Sequence, residues 1–172
     1  ILKTTFLAIP EQKFGNLAFL DTPGYSKPDS EYYSSNTDEK IARAQLNTSN
    51  FIIWLITAED GTIKEEDVKF LNSINKSIPK LIIVNKADKR QNEQVDEIIK
   101  VVKDELNKNG IPFLDVIPYS SRKKTTYSNE KIVEYLKKWN EKKTEVLFAK
   151  NFKKIFKLKK LIIQKLLDIC QK

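Results

Sequence analysis

The strongest constraint on the fold is a pair of continuous apolar runs, FIIWLIT (51–57) and KLIIVN (80–85), both rich in β-branched residues. Continuous apolar runs of this length are typical of strands buried on both faces, as in parallel sheets covered by helices. A weaker strand is predicted over 113–119, FLDVIPY. Helical patterns lie between these runs, so we predict an α/β fold, a doubly wound, mostly parallel sheet.

Helices are predicted from apolar spacing and from capping residues. The predicted segments are 38–47, a helix opened by a Thr62–Glu65 capping box, 91–109, and 128–139 with Ser128 as its cap. Gly110 follows the third helix where a left-handed residue is favoured. The runs 4–10 and 16–21 predict a hairpin that adds one antiparallel edge strand to the sheet.

The final stretch, 140–172, differs from the rest because it contains no Gly or Pro and is rich in lysine. It predicts one long amphipathic basic helix, while 1–139 predicts a domain built on the sheet. Apolar residues recur in this stretch at steps of three and four, from Phe148 to Ile169. Such a stripe fits a neck helix packing on further helices, or a helix lying on an anionic membrane.

Composition excludes several classes of chemistry. The chain has 172 residues and no histidine, which removes His-based zinc sites and Ser-His-Asp catalysis. Cys170 is the single cysteine, so an intrachain disulfide is impossible, as suits a reducing compartment. The net charge of +8 points to an anionic partner, which could be a nucleotide, RNA or an acidic membrane, or simply to solubility.

Three polar clusters follow predicted strands. They are DTPG (21–24), NKAD (85–88) and YSSRK (119–123). Because ligands of open α/β sheets bind at the carboxyl ends of the strands, we expect these clusters to lie at one edge of one sheet. That agreement between separate strands predicts a common binding site.

DTPG has two readings. In the first, Asp21 supports a Mg²⁺ ion, directly or through water, and the N–H of Gly24 points at a phosphate oxygen. In the second, the four residues form an ordinary turn, since Asp, Pro and Gly are common in turns.

NKAD carries a more specific signal. Asp88 can accept two parallel hydrogen bonds, and guanine offers a matching pair in its N1–H and 2-amino groups, whereas adenine does not. Asn85 can bond neighbouring loops or the base edge, and the aliphatic stem of Lys86 can lie over the ring. The alternative is a capped helix start, with Asp88 or Asn92 as the cap.

YSSRK is the weakest of the three clusters. A small residue such as Ser120 or Ser121 would let backbone N–H groups reach the base, and a plain polar loop is the alternative.

These motifs resemble those of the G domain of translation-factor-related P-loop GTPases. DTPG matches the third motif of that class, NKAD the fourth, and Ser120–Ser121 approximates the fifth, over a resemblance that covers about 4–139. The motif G-x-x-x-x-G-K-[ST], the phosphate loop of the class, is absent from the sequence. We therefore expect a partial G domain over 1–139 that lacks the first strand and the phosphate loop, and expect this fragment alone to be inactive.

Two branches of the class compete. The stretch 119–143 followed by a lysine-rich helix is similar to bacterial dynamin-like GTPases, which act on membranes, and this is our main expectation. The strings KPDS and FLDVIPYSS resemble Era-type GTPases, which bind ribosomal RNA through a later domain and assist ribosome assembly. A non-catalytic G-like interaction module is the third possibility.

The resemblance implies a site and a reaction. GTP and GDP would bind with Mg²⁺, and water would attack the γ-phosphate in line to give GDP and phosphate. Asp21 would support the metal and, with Gly24, form the catalytic pair, so that 25–37 reorders with nucleotide state. The nucleotide-binding residues would be Asn85, Lys86, Asp88, Ser120 and Ser121.

The resemblance also sets expectations for partners. They are guanine nucleotide, an anionic membrane surface, and a second copy of the chain bound through the nucleotide face or the exposed helix, with no DNA. The expected location is the cytoplasm, peripheral at the inner face of the membrane.

Overall fold

The computed structural model describes residues 14–22, 35–123 and 126–141. The chain divides into two compact units, 1–19 with 133–172, and 20–132. The second unit holds the sheet. In the first unit, Asn16 donates two hydrogen bonds of 2.9 Å to Asn140, from its backbone N–H to Oδ1 and from its side-chain amide to the backbone carbonyl.

The described sheet has three parallel strands in the order β1 (Ile52–Thr57), β2 (Lys80–Asn85) and β3 (Asp115–Pro118). Ile52 is opposite Lys80 across the first pair, and Leu81 is opposite Asp115 across the second. The predictions of strands at 51–57, 80–85 and 113–119 are confirmed, and the three strands are parallel as expected. Their carboxyl ends therefore meet at one edge of the sheet.

The central strand is buried along most of its length, whereas β1 is not. Five of the six residues of β2 are buried, as the continuous apolar pattern predicts. In β1 burial alternates, and Leu55 is 62% exposed. The prediction that 51–57 is buried on both faces is therefore wrong, because β1 is an outer strand of the described sheet and one of its faces is only partly covered.

Four helices complete the described part: α1 (Ser35–Asn47), α2 (Glu65–Asn72), α3 (Asn92–Lys108) and α4 (Glu130–Glu141). The predicted face of α3 is confirmed, since Val95, Ile98, Val102 and Leu106 are all buried. No helix within these described segments is long and apolar enough to cross a membrane.

The helix ends agree only partly with the sequence predictions. The Thr62–Glu65 capping box is wrong, because α2 is capped at Lys64 without a side-chain hydrogen bond. A capping box does form at α3, between Gln91 and Gln94. α4 begins at Glu130, two residues later than predicted, and Ser128 accepts a hydrogen bond from the N–H of Glu130 at 3.4 Å.

Gly110 ends α3 as predicted. Its φ of 62° lies in the left-handed region. The N–H of Ile111 donates to the carbonyl of Leu106 at 3.0 Å, and that of Gly110 donates to Asn107 at 3.0 Å. This Schellman arrangement turns the chain so that Ile111 and Leu106 both enter the core.

Residues 16–21 do not form the predicted strand. They make a turn at Gly15 and Asn16 followed by an irregular segment. In this segment the N–H of Leu17 donates to the carbonyl of Phe14 at 3.1 Å, which is a turn bond, and the expected strand partner, 4–10, lies outside the described residues. The antiparallel edge strand is therefore not present in the described sheet. The predicted long helix over 140–172 also falls, beyond residue 141, outside the described residues.

The start of β2 buries a charged residue. Lys80 is 0% exposed, and its Nζ donates to the carbonyls of Asn75 and Ile78 at 3.0 Å each. These bonds fasten the loop after α2 onto the sheet. Burial, with the nearby charge of Lys76, lowers the pKa of Lys80.

Candidate functional site

The turn at the end of β2 has an unusual backbone. Lys86 has φ 58° and ψ 34°, and it is the one non-glycine residue with positive φ in the described residues. The side chain of Asn85 supports this conformation, because its Oδ1 accepts the N–H of Lys86 at 2.8 Å. A short 3₁₀ turn, Ala87–Lys89, follows. The chain thus reverses at Lys86 and places Asp88 beyond the sheet edge.

Backbone bonds bring the end of β3 against this turn. The N–H of Tyr119 donates to the carbonyl of Val84 at 2.9 Å, and the N–H of Ala87 donates to the carbonyl of Tyr119 at 3.1 Å. These two bonds extend the strand pairing past the last paired residues. Ser120 therefore lies beside Asp88, as the shared sheet edge predicts.

Ser120 ties the two strand ends together. It is completely buried, and its Oγ donates to Asp88 Oδ1 at 2.6 Å. The same oxygen accepts the backbone N–H groups of Arg122 and Lys123, each at 3.1 Å. Ser120 is therefore more than part of a polar loop, because one hydroxyl orients a carboxylate and closes the turn after β3.

The hydrogen bond from Ser120 is also the largest cause lowering the pKa of Asp88. The positive charges of Arg122 and Lys89 act in the same direction, and burial opposes them. Asp88 is thus ionised at neutral pH and half-buried. A carboxylate has about four acceptor positions, so the bond to Ser120 leaves room for two further donors.

Tyr127 anchors the far end of the loop after β3. Its ring packs in a small cluster with Ala87 and Val95. Its hydroxyl donates to Asn92 Oδ1 at 2.6 Å, and its carbonyl accepts the N–H of Ser120 at 3.4 Å. Burial raises the pKa of the Tyr127 phenol. One residue therefore holds the Ser120 loop against both the NKAD turn and α3.

The exit of β1 belongs to the same edge, although none of the three predicted clusters includes its residues. Glu59 Oε2 lies 2.7 Å from Lys86 Nζ. Arg90 donates from Nε to the carbonyl of Ala58 at 3.1 Å and from Nη2 to that of Glu59 at 2.7 Å. A signal was present, since Glu59 and Asp60 follow β1 as NKAD follows β2.

The structure brings together four of the seven predicted site residues, Asn85, Lys86, Asp88 and Ser120. Ser121 is adjacent and exposed. Asp21 is exposed at the end of the irregular segment, and Gly24 lies outside the described residues. Their roles at a metal and a phosphate stay predictions.

The alternative role for NKAD, a helix cap, is wrong. The N-cap of α3 is Gln91, while Asn92 is the first residue of the helix and Asp88 lies in the preceding 3₁₀ turn. Asp88 therefore presents a fixed, ionised carboxylate that does not cap α3. Such a group can accept two parallel N–H donors from a planar ligand.

The fold and this site agree with the class named by the motifs. Parallel strands with helices, ending in Asn-Lys-Ala-Asp and Ser-Ser at one edge, are consistent with part of a P-loop GTPase G domain. No family model matches the chain.

The curated proteins similar to this chain include several named GTPase Era. GTPase Era of Caldanaerobacter subterraneus subsp. tengcongensis is 32% identical over 123 residues, which are 70% of this chain and 39% of that protein. GTPase Era of Clostridium kluyveri is 29% identical with the same coverage. GTPase Era of Aquifex aeolicus is 26% identical over 110 residues, 62% of this chain and 35% of that protein.

These relatives support a P-loop GTPase G domain, and the chain spans about two fifths of their length. They give no support to the dynamin-like class, which was the main expectation from the basic helix. The Era-type resemblance, carried by FLDVIPYSS, fits them better. The dynamin-like expectation rested on the lysine-rich composition of the last stretch, which lies beyond residue 141 outside the described residues. The NKAD and Ser-Ser motifs, in contrast, lie at the edge of the described sheet.

Proposed function

We propose that this chain is the guanine-binding part of an Era-like GTPase that binds GTP and GDP with Mg²⁺ and hydrolyses GTP. The observation that carries the proposal is the hydrogen bond from Ser120 to Asp88, which joins the fourth and fifth motifs of the G domain at 2.6 Å. It fixes the carboxylate before any ligand arrives. A preorganised acceptor loses less conformational freedom on binding.

The preference for guanine follows from donor and acceptor matching. The N1–H and 2-amino groups of guanine would donate to the two oxygens of Asp88. Adenine would place an acceptor against the ionised carboxylate, and the unmatched charge would lose its hydration without compensation. The stem of Lys86 would cover one face of the ring.

Asp21 and Gly24 complete the proposal on the phosphate side. Mg²⁺ takes one or two carboxylates together with waters and substrate phosphates. The exposed carboxylate of Asp21 suits an ion of that kind. Among the described residues there is no group of three His, Cys, Asp or Glu that could hold a metal. Gly24 is proposed to direct its N–H to the γ-phosphate.

The Era-like assignment extends the proposal to ribosome assembly in the cytoplasm. The net charge of +8 is compatible with an RNA partner. Membrane binding and self-association are not part of the proposal.

The test is the substitution Asp88→Asn in the full-length protein, with affinity for GDP and for xanthosine diphosphate measured by calorimetry. Xanthine carries a carbonyl where guanine has its amino group, so an amide at position 88 matches it. We expect GDP affinity to fall by about tenfold or more and xanthosine diphosphate affinity to rise.

Asp104→Asn is the control, because Asp104 is an exposed carboxylate on α3. It should leave both affinities unchanged. A wild-type protein that binds ADP as well as GDP, or an Asp88→Asn variant with unaltered base preference, would contradict the proposal.

A further inference from the structure

A second charged group lies next to the proposed base site. Glu59, in the turn after β1, forms an ion pair with Lys86 in the NKAD turn, with 2.7 Å between Oε2 and Nζ. The side chains are 47% and 54% exposed, respectively. The hydrogen bond from Lys86 is the main cause that lowers the pKa of Glu59, and the same bond raises the pKa of Lys86.

The turn that carries Glu59 is itself held in place. Arg90 donates from its guanidinium to the carbonyls of Ala58 and Glu59. The hydroxyl of Thr57 accepts the N–H of Glu59 at 3.3 Å and lies 3.3 Å from Glu59 Oε2. The backbone under the Glu59 carboxylate is therefore held from two sides, by Thr57 and by Arg90, the residue that follows the 3₁₀ turn Ala87–Lys89.

Without such a partner, the side chain of Lys86 would be too flexible to form a fixed contact with the face of a base. A lysine side chain has four rotatable bonds and loses much conformational freedom when it is ordered. An ion pair at its tip removes part of that freedom before ligand binding. The left-handed backbone of Lys86 fixes the other end of the same side chain.

We propose that Glu59 is a positioning residue of the base site, which holds the Lys86 ammonium so that the aliphatic stem of Lys86 is fixed against the guanine ring. This inference rests on the proposed function and adds a residue from the turn after β1, outside the three motifs. Glu59 touches no ligand atom and acts through Lys86.

The experiment is a double-mutant cycle on GDP affinity in the full-length protein. It uses Glu59→Gln, Lys86→Met and the double variant, because methionine keeps an apolar stem and removes the ammonium. Glu59→Gln should weaken GDP binding by about two- to fivefold, the size expected of one exposed ion pair. In the Lys86→Met background, the same change should have no effect.

Glu65→Gln is the control, since Glu65 also forms a solvent-exposed ion pair with a lysine, Lys69 on α2, at 2.5 Å. It should not alter GDP affinity. Raising the salt concentration should narrow the difference between wild type and Glu59→Gln, because salt screens exposed pairs.

The outcomes separate this inference from the proposed function. Unchanged or tighter binding by Glu59→Gln overturns the inference, and so does an equal loss in both backgrounds, since Glu59 would then act independently of Lys86. A wild-type protein without preference for GDP over ADP refutes the proposed function, and the inference fails with it.

Discussion

The sequence predicts a ligand-binding motif at the end of a strand in two places, NKAD and DTPG. In the structure, NKAD follows a paired strand, whereas the residues before DTPG form no strand. After β2, Asn85, Lys86 and Asp88 each make a side-chain hydrogen bond or ion pair of 2.6–2.8 Å. In the stretch that leads into DTPG there is no strand, and Phe19 and Leu20 are 60% and 39% exposed.

The difference shows that contacts from other segments of the chain, and not the motif alone, hold the side chains of a site in place. The NKAD turn follows a strand paired on both sides, and two separate segments contact it: the exit of β1 and the loop after β3, through Tyr119 and Ser120 at its start and Tyr127 near its end. DTPG follows residues with no strand partner in the described chain. Its apolar run has β propensity, but propensity alone does not order a strand.

The largest expected effect comes from Ser120→Ala, which tests whether the order of the NKAD edge depends on one hydroxyl. The substitution removes the donor to Asp88 and the acceptor for two backbone N–H groups in a buried place. We expect the free energy of unfolding to fall by about 1–3 kcal/mol, measured by urea denaturation.

The same variant has a pH signature. Because the folded-state pKa of Asp88 is lowered, chiefly by Ser120, its contribution to stability is present above the unfolded value of about 3.9 and is lost as pH falls through the folded value. The loss caused by Ser120→Ala should therefore be largest at neutral pH and shrink in acid. Ser121→Ala, at an exposed neighbour, serves as the stability control; an equal loss there would argue against the role of Ser120.

A smaller effect is expected for Tyr127→Phe, which keeps the ring in its cluster and removes the bond to Asn92. One hydrogen bond contributes about 0.5–1.5 kcal/mol, so the unfolding midpoint in urea should drop modestly. Tyr119→Phe is the paired control, because the contacts of Tyr119 with this edge are made by its backbone. Equal midpoints for wild type and Tyr127→Phe would show that the hydroxyl does not anchor the loop.

The smallest effect on stability is expected at the other stretch. Asp21 is exposed in an irregular segment, so Asp21→Ala should leave the urea midpoint unchanged. In the full-length protein, the same variant should lose the Mg²⁺ dependence of GTP binding. A clear drop in the urea midpoint would show that Asp21 contributes to stability as the NKAD turn does, and would contradict the difference between the two stretches.

Much of the fold could be predicted because its signals are local. The apolar runs predicted β1 and β2 to within a residue, and the spacing of apolar residues predicted the buried face of α3. Gly110 was identified because a left-handed residue after a helix favours glycine. The four site residues that come together follow from one rule about the carboxyl ends of parallel strands.

What could not be predicted depends on contacts between segments distant in sequence. The bond between Ser120 and Asp88 joins residues 32 positions apart, and the pair of Lys86 with Glu59 spans 27. The left-handed conformation of Lys86 was also missed, since lysine shows no preference for it and the side chain of Asn85 supports it here. The strand predicted over 16–21 is absent, because an apolar run indicates β propensity but does not by itself provide the pairing that a strand needs.

The buried amine of Lys80 has a practical consequence. The chain is rich in lysines, and an acylating reagent in solution would modify the exposed ones at once, whereas Lys80 must first leave the carbonyls of Asn75 and Ile78. The rate at which Lys80 is labelled, followed by peptide mass spectrometry, would therefore report how often the sheet opens locally at the start of its central strand.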